Sequence, residues 1–356
     1  MAPRPDTGPK TGIVRHEMYR QHLAGYPHVE SPERLEVLDA MLDAPDMADR
    51  FVMVLPRPAN RDELAWIHSE SHIDRVAATD GKPHASLDPD TQTTALSYQA
   101  ARLAAGGLFC LIDKIFDGTV QNGFALVRPP GHHAERDRAM GFCLFNNVAL
   151  GACYAMKTFG AERVLIVDWD LHHGNATQHS FYDNVDVLYF STHQYPYYPG
   201  SGALTEAGNG KGRGYTVNVP LGPGHGDQEY HQIFTSILKP VSAGFKPDFI
   251  FVSAGFDTYK DDPLGAMGMT PTGYAALTRI MMKIAETHCS GKLAFTLEGG
   301  YHLAGLRDSV SAVLLELCGQ SILSPEDVAG FEAAPVPPIV EEVIAFQKQF
   351  WPELCA

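Results

Sequence analysis

The sequence has few charged residues and no excess of basic ones. Asp, Glu, Lys and Arg make up 19% of the 356 residues, and 42 acidic against 27 basic side chains give a formal net charge of -15 at pH 7. A surface of that sign repels the phosphates of DNA and RNA. We therefore expect no direct binding to nucleic acid.

Paired cysteines and long apolar runs are also missing. The six cysteines are scattered without a C-x-x-C pair, so neither a disulfide framework nor a cysteine zinc site is predicted. No stretch approaches the roughly 18 unbroken apolar residues of a membrane span, and the beginning of the sequence lacks the apolar core of a secretory signal. These absences favour a cytoplasmic protein with no membrane segment.

What the sequence does contain is an alternation of short apolar stretches and longer amphipathic ones. Strands are predicted at 123–127, 163–168, 185–191, 248–254 and 292–298, and helices at 96–116, 146–158, 227–243, 271–288 and 303–318. Because the strands are apolar throughout, we predict an α/β fold with a mostly parallel sheet and helices on both faces. The Pro-rich stretch 333–342 is predicted to lead into a C-terminal helix at about 339–350.

Polar side chains follow four of these strands, at the edge where ligands bind in parallel sheets. They are Asp168 and Asp170, Ser191 and His193, Asp257, and the run from Glu298 to Tyr301. Asp170 and His172 are two residues apart and point to the same side of an extended chain, so Asp257 could complete a metal site with them. Two carboxylates and an imidazole suit zinc and leave a position for water. The alternative is that Asp168 and Asp170 only cap the helix that starts near residue 173.

Two further motifs indicate acid/base chemistry. The segment "RPPGHHAERDRAMGFCLFNN" (128–147) places His132 and His133 in a loop at the same edge, where Asp168 could raise the pKa of one ring. In "LEGGYHL" (297–303), two glycines allow close approach of the backbone, and Tyr301 offers a neutral hydroxyl to a developing oxyanion. Each side chain could instead be an ordinary core residue.

Five ordered segments resemble the histone deacetylase family, specifically class II and the bacterial histone deacetylase-like amidohydrolases. They are "RPPGHHAERDRAMGFCLFNN", "DWDLHHGNATQ", "STHQYPYYPGSG", "SAGFDTYKDDPLGAM" and "LEGGY", and the likeness extends from about residue 28 to 318. The resemblance implies the arginase/deacetylase fold as a single domain, with residues 1–20 before it, 21–330 within it, and a linker and helix at 331–356.

The resemblance also implies a role for individual residues. Zinc is expected on Asp170, His172 and Asp257, and the catalytic group is expected to comprise His132, His133, Asp168, Asn175 and Tyr301. Asn175 stands where class I relatives have aspartate. The expected substrate tunnel is lined by Gly141, Phe142 and Tyr198, with Asp90 at its rim, although Asp88 lies close by in "LDPDTQT". A potassium ion is expected on Ser191 and on main-chain oxygens of Asp168, Asp170 and His172.

The predicted reaction is the zinc-dependent removal of acetyl or other short acyl groups from acyl-lysine or related N-acylated amines. An acetylpolyamine deacetylase is the main alternative, although Leu264 stands where the polyamine-selective relatives have glutamate. Two others are a two-metal arginase-like hydrolase and a module that binds acyl-lysine without turnover. The expected partner is the substrate, and the chain could also form a homo-oligomer.

Overall fold

The structure is a computed structural model that describes residues 10–355 of the chain. Eight of its ten strands form one parallel sheet in the order β2-β1-β5-β10-β9-β6-β7-β8, and β3 pairs with β4 in an antiparallel ladder. The strands are β1 (Thr11–Val14), β2 (Val52–Val54), β3 (Ala85–Ser86), β4 (Gln92–Thr93), β5 (Asn122–Ala125), β6 (Val164–Asp168), β7 (Val187–Gln194), β8 (Thr216–Leu221), β9 (Phe249–Ala254) and β10 (Leu293–Leu297).

Helices cover the sheet. They are α1 (Glu33–Leu42), α2 (Arg61–Leu64), α3 (Glu70–Ala77), α4 (Ser97–Phe116), α5 (Asn147–Phe159), α6 (Asn175–Phe181), α7 (Asp227–Ile233), α8 (Lys239–Phe245), α9 (Pro271–Cys289), α10 (Leu303–Leu317), α11 (Pro325–Glu332) and α12 (Pro338–Gln347). The long helices α4 and α5 pack together in one layer, whereas α1, α9 and α10 form another. Of the described helices, none combines the length and the apolar character that a bilayer-crossing segment requires.

The predicted fold class is confirmed. Strands β5, β6, β7, β9 and β10 and helices α4, α5, α9 and α10 lie within a few residues of their predicted bounds. The predicted helix 227–243 is α7 and α8 joined by a π-helical segment at Phe234–Leu238. Strands β1, β2, β3, β4 and β8 were not predicted. The first four are very short, and Pro220 weakens the β8 pattern because proline is tolerated mainly in edge strands, which is where β8 lies.

Both ends of the described chain pack against this sheet. Strand β1 is fully buried between β2 and β5, so residues 11–14 belong to the domain, although a separate N-terminal segment was expected at 1–20. Residues 1–9 and 356 lie outside the described residues. After α11, α12 packs on β8, where Gln347 Nε2 donates to the carbonyl oxygen of Thr216 at 3.3 Å. The expected linker and helix at 331–356 therefore contact the sheet directly.

The four strands with polar residues at their ends are neighbours in the sheet. Strand β6 lies between β9 and β7, and β10 follows on the other side of β9. Asp168 at the end of β6 is paired in register with Ser191 on β7 and with Ser253 on β9. The side chains that follow these strands are thus brought to one edge, as the sequence predicts.

Candidate metal centre and active site

Asp170, His172 and Asp257 meet just beyond the ends of β6 and β9. His172 Nδ1 lies 3.2 Å from Asp170 Oδ1 and 3.1 Å from Asp257 Oδ2. One donor atom of each residue falls within 4.8 Å of the other two. Both carboxylates are buried and the His172 side chain is only 12% exposed. Among the described residues this is the only group of three or more His, Cys, Asp or Glu side chains that could hold a metal ion.

The donor set fits a divalent ion. Main-chain N–H groups orient both carboxylates: Gly299 donates to Asp170 Oδ2 and His172 to Asp170 Oδ1, each at 2.8 Å, and Leu171 donates to Asp257 Oδ1 at 2.9 Å. Ligand atoms about 2.1 Å from a tetrahedral zinc lie roughly 3.4 Å apart, close to the observed spacing around His172 Nδ1. Burial and the neighbouring Asp170 raise the pKa of Asp257 to about 7. A cation between the two carboxylates would relieve this repulsion.

The helix-capping alternative is not what the structure shows. The N-cap of α6 is Gly174, and no side chain caps this helix. Asp168 Oδ2 instead accepts a hydrogen bond from the Tyr189 hydroxyl at 3.0 Å and lies 3.0 Å from His132 Nδ1. The buried carboxylate of Asp168 therefore contacts the first histidine of the pair and does not cap the helix.

The two adjacent histidines differ in charge. Burial alone would lower the pKa of His132, but the charges of Asp168 and Asp170 raise it to about 10. Burial and the neighbouring His132 lower the pKa of His133 well below its usual range. The two rings lie 4.0 Å apart between centroids. At neutral pH the pair therefore combines an imidazolium at His132 with a neutral imidazole at His133.

His133 is held by Asn175 and closely approached by a glycine. Its Nδ1 atom lies 2.7 Å from Asn175 Oδ1. Gly141 has φ +56°, and a Cβ atom at this position would lie only 2.4 Å from His133 Cδ2. Any side chain at 141 would therefore displace the imidazole, which gives a physical reason for glycine in the "GF" of the motif.

Tyr301 lines the same cavity as the two histidines. Burial and the negative charge of Asp257 raise the pKa of Tyr301 well above 10, so its hydroxyl stays protonated. The Arg34 guanidinium lies 5.1 Å from the centre of its ring, and the Phe142 ring meets it edge-on at 6.0 Å. Asp262 Oδ2 accepts the Tyr301 main-chain N–H at 2.7 Å. Ring and backbone are thus both fixed, whereas the hydroxyl has no hydrogen-bond partner within residues 10–355.

One narrow cavity of about 100 Å³ connects these groups to the surface. It is lined by Asp90, Pro130, His132, His133, Gly141, Phe142, His172, Tyr198, Leu264, Gly299 and Tyr301. All five residues expected in substrate binding contribute to this lining. The Tyr198 ring stands perpendicular to that of His133 with centroids 5.1 Å apart. Asp90 Oδ1 accepts the Gly141 main-chain N–H at 2.9 Å, which ties the rim to the tunnel wall.

Ser191, the side chain expected at the potassium site, is fully buried beside Asp168 in the sheet. Its Oγ atom lies 2.9 Å from His193 Nδ1. Burial lowers the pKa of His193 to about 4, so this imidazole is neutral at pH 7. The structure thus places Ser191 beside Asp168, whose main-chain oxygen is also expected at the potassium site.

Two residues without a predicted role also shape the site. Glu298 Oε2 accepts main-chain N–H groups of Gly131 and His132 at 2.7 and 3.2 Å, so it fixes the start of the histidine loop. Arg34, from α1, donates to the carbonyl oxygens of Glu298 and Gly300 at 2.6 and 2.7 Å. The position of Glu298 directly after an apolar strand is a sequence signal from which its role could have been predicted. Nothing in the local sequence "SPERLE" distinguishes Arg34 from a surface arginine.

Comparison with known proteins agrees with this geometry. A family model described as histone deacetylase domain matches residues 28–317. The chain is 42% identical to histone deacetylase 15 of Arabidopsis thaliana, over 92% of this chain and 59% of that protein. It is 41% identical to a probable deacetylase of Archaeoglobus fulgidus, over 83% of this chain and 82% of that protein.

A solved structure, the crystal structure of the HDA15 HD domain, superposes with a TM-score of 0.88 at 40% identity, covering 98% of this chain and 97% of that one. The chain thus spans about three fifths of the full Arabidopsis protein and nearly the whole of the solved domain. The arginase-like alternative is not supported by these likenesses. The chain belongs to the histone deacetylase family.

Proposed function

We propose that the protein is a metal-dependent deacetylase that hydrolyses the amide bond of acyl-lysine or related N-acylated amines. The observation that carries this proposal is the single cavity in which His132, His133 and Tyr301 face the buried Asp-His-Asp group. A module that only binds acyl-lysine would have no use for a complete acid/base pair beside metal ligands. Membership of the histone deacetylase family gives independent support.

Zinc is the proposed cofactor, held by Asp170, His172 and Asp257. When bound, it would polarise the acyl carbonyl and lower the pKa of water. The protein side chains do the rest. His133, the neutral imidazole, accepts the proton of the attacking water, and the Tyr301 hydroxyl donates a hydrogen bond to the negative charge that develops on the acyl carbonyl oxygen.

The leaving amine requires a proton before the C–N bond breaks. His133 carries one after it has acted as base, and His132 carries one throughout because Asp168 lies 3.0 Å from its Nδ1. Either imidazolium can supply the amine, and the standing charge on His132 also stabilises the oxyanion electrostatically. Asp168 and Asn175 hold the two rings in place, while Phe142 and Tyr198 provide aromatic walls for an aliphatic stem.

The proposed substrate preference is acyl-lysine over acetylpolyamine. Leu264 lines the cavity and offers no charge to a cationic chain. Its main chain is held at both ends, because its N–H donates to Asp262 Oδ1 and its carbonyl oxygen accepts from the Tyr197 hydroxyl, each at 3.0 Å. A potassium ion at Ser191, a cytoplasmic location and self-association belong to the same proposal as predictions.

The test is a substrate screen with the zinc-loaded protein. Acetyl-lysine peptides, peptides with longer acyl groups, N8-acetylspermidine and small acetamides are compared by kcat/KM. We expect an acyl-lysine peptide to be the best substrate. Preference for acetylspermidine would favour the polyamine alternative, and binding of acyl-lysine with no turnover of any amide would reduce the protein to a binding module.

A further inference from the structure

A series of hydrogen bonds leads from His133 to the protein surface. Beyond the contact of His133 Nδ1 with Asn175 Oδ1, Asn175 Nδ2 donates to Glu135 Oε1 at 2.5 Å. His179 Nδ1 lies 2.8 Å from the same Glu135 oxygen. The side chain of Glu135 is 20% exposed and that of His179 is 52% exposed, whereas His133 and Asn175 are buried. The outer two residues are not part of the metal group or of the cavity wall.

The orientation of the Asn175 amide decides which nitrogen of His133 carries the proton. An amide presents an acceptor on one side and a donor on the other, so two orientations of similar shape are available. A carboxylate can only accept, and Glu135 therefore draws Nδ2 to itself and leaves Oδ1 for His133. Because Oδ1 can only accept, the neutral imidazole carries its proton on Nδ1, and Nε2 keeps the lone pair that a base needs.

The opposite orientation would disable the base. If the Asn175 NH₂ group faced His133, it would donate to Nδ1 and move the ring proton to Nε2, which then has no lone pair for a proton from water. The identity of the group on the far side of Asn175 is thus decisive for His133.

Glu135 is itself anchored to the protein core. The main-chain N–H of Asn146 donates to His68 Nε2 at 2.9 Å, so the proton of this buried imidazole is on Nδ1, which donates to the carbonyl oxygen of Glu135 at 2.9 Å. The main-chain N–H of Glu135 donates in turn to the carbonyl oxygen of Arg138 at 2.8 Å. The carboxylate therefore starts from a fixed main chain, although it reaches solvent.

We propose that Glu135 is a positioning residue for the reaction: it fixes the amide of Asn175 and thereby keeps the Nε2 atom of His133 free to act as base. This inference rests on the proposed function, because it takes His133 to be the base. It assigns a role to a side chain that touches neither the substrate cavity nor the metal ligands.

A purely structural role for Glu135 is the rival explanation. Asn175 and His179 are one turn apart on α6 and contact the same Glu135 oxygen, so the carboxylate also ties this helix to the histidine loop. If that were its only role, His179→Ala would already lower activity severalfold, because it removes one of the two contacts between Glu135 and α6. Under our proposal, His179→Ala leaves the Asn175 contact in place and keeps kcat within about twofold of wild type.

The decisive experiment combines changes at 135 and 175 in the zinc-loaded protein, with an acetyl-lysine peptide as substrate. Glu135→Leu is expected to lower kcat about ten- to a hundredfold with KM nearly unchanged, and Glu135→Gln, whose carbonyl can still accept from Asn175, to retain most activity. Asn175→Asp places two carboxylates against each other and also lowers kcat.

The double variant separates positioning from packing. An aspartate has an oxygen on both sides, so at position 175 it accepts from His133 in any orientation and has no need of Glu135. Adding Glu135→Leu to Asn175→Asp should therefore raise kcat, by about tenfold, where the same change lowers kcat in the wild type. If the double variant instead showed a decrease in kcat equal to the product of the two single decreases, the proposal would be wrong.

A second readout does not depend on turnover. In zinc-loaded protein labelled with ¹⁵N-histidine, and with the His133 signals assigned through His133→Gln, wild type should show protonated Nδ1 and unprotonated Nε2. Glu135→Leu should populate the other tautomer. If both proteins showed the same tautomer, the inference about Glu135 would be wrong, whether or not the wild type hydrolysed any amide. If the tautomers differed but the wild type hydrolysed no amide in the substrate screen, only the proposed function would have failed.

Discussion

Removing the hydroxyl of Tyr301 separates catalysis from folding. In the folded protein this hydroxyl has no partner within residues 10–355, whereas the ring packs against Phe142 and Arg34 and the main chain is held by Asp262. Tyr301→Phe therefore leaves no protein group without a hydrogen bond, and the free energy of unfolding should change by less than about 0.5 kcal/mol. The transition state loses a donor, which typically lowers kcat about a hundred- to a thousandfold, or about 2.7–4 kcal/mol.

The assay is kcat on an acetyl-lysine peptide, measured together with zinc content, affinity for a hydroxamate inhibitor and thermal unfolding. We expect only kcat to fall strongly. Tyr154→Phe is the control, since its hydroxyl donates to Asp113 at 2.8 Å in the α4–α5 layer and Tyr154 does not line the cavity. A Tyr301→Phe enzyme within about threefold of wild type would refute the assignment of the oxyanion donor.

Three other changes test different parts of the account. Leu264→Glu should shift the ratio of kcat/KM values toward N8-acetylspermidine by about tenfold or more, because a carboxylate at the rim attracts a secondary ammonium; an unchanged ratio would remove Leu264 from substrate selection. Gly141→Ala should lower kcat about tenfold or more by displacing His133, whose Cδ2 atom would lie 2.4 Å from the new Cβ, and full activity would contradict the close approach. Burial lowers the pKa of His68 to about 3, below its value of about 6.5 in the unfolded chain, so its contribution to stability is present above pH 6.5 and is lost as the pH falls toward 3. Chemical denaturation between pH 6.5 and 3 should therefore show that the free energy of unfolding falls less steeply with decreasing pH in His68→Gln than in wild type. Equal pH dependence in the two proteins would contradict the lowered pKa of His68.

Much of the site could be predicted because it follows from the fold class. Apolar strands of a parallel sheet end at one edge, so polar residues directly after them are brought together whatever the loops do. Asp170 and Asp257 follow β6 and β9, which are adjacent in the sheet. Prediction of the metal group therefore required only that the ends of these two strands be located correctly. Both strands are long and apolar enough to be recognised from the sequence.

Other features depend on contacts that no local pattern contains. Arg34 reaches the carbonyl oxygens after β10 from a helix more than two hundred residues earlier in the chain. The link from Glu135 to Asn175 joins two motifs whose spacing says nothing about amide orientation. Strand β1 was missed because it has only four residues, TGIV, and gains its stability from the two strands beside it.

The most direct test of the central claim is a zinc titration of the metal-free protein, with acetate release from an acetyl-lysine peptide measured at each step. The Asp-His-Asp group predicts that activity rises linearly and reaches its plateau at one zinc per chain, and that Asp257→Ala shows neither tight zinc binding nor acetate release. A plateau at two ions per chain, or an Asp257→Ala protein with full activity and stoichiometric zinc, would contradict the account.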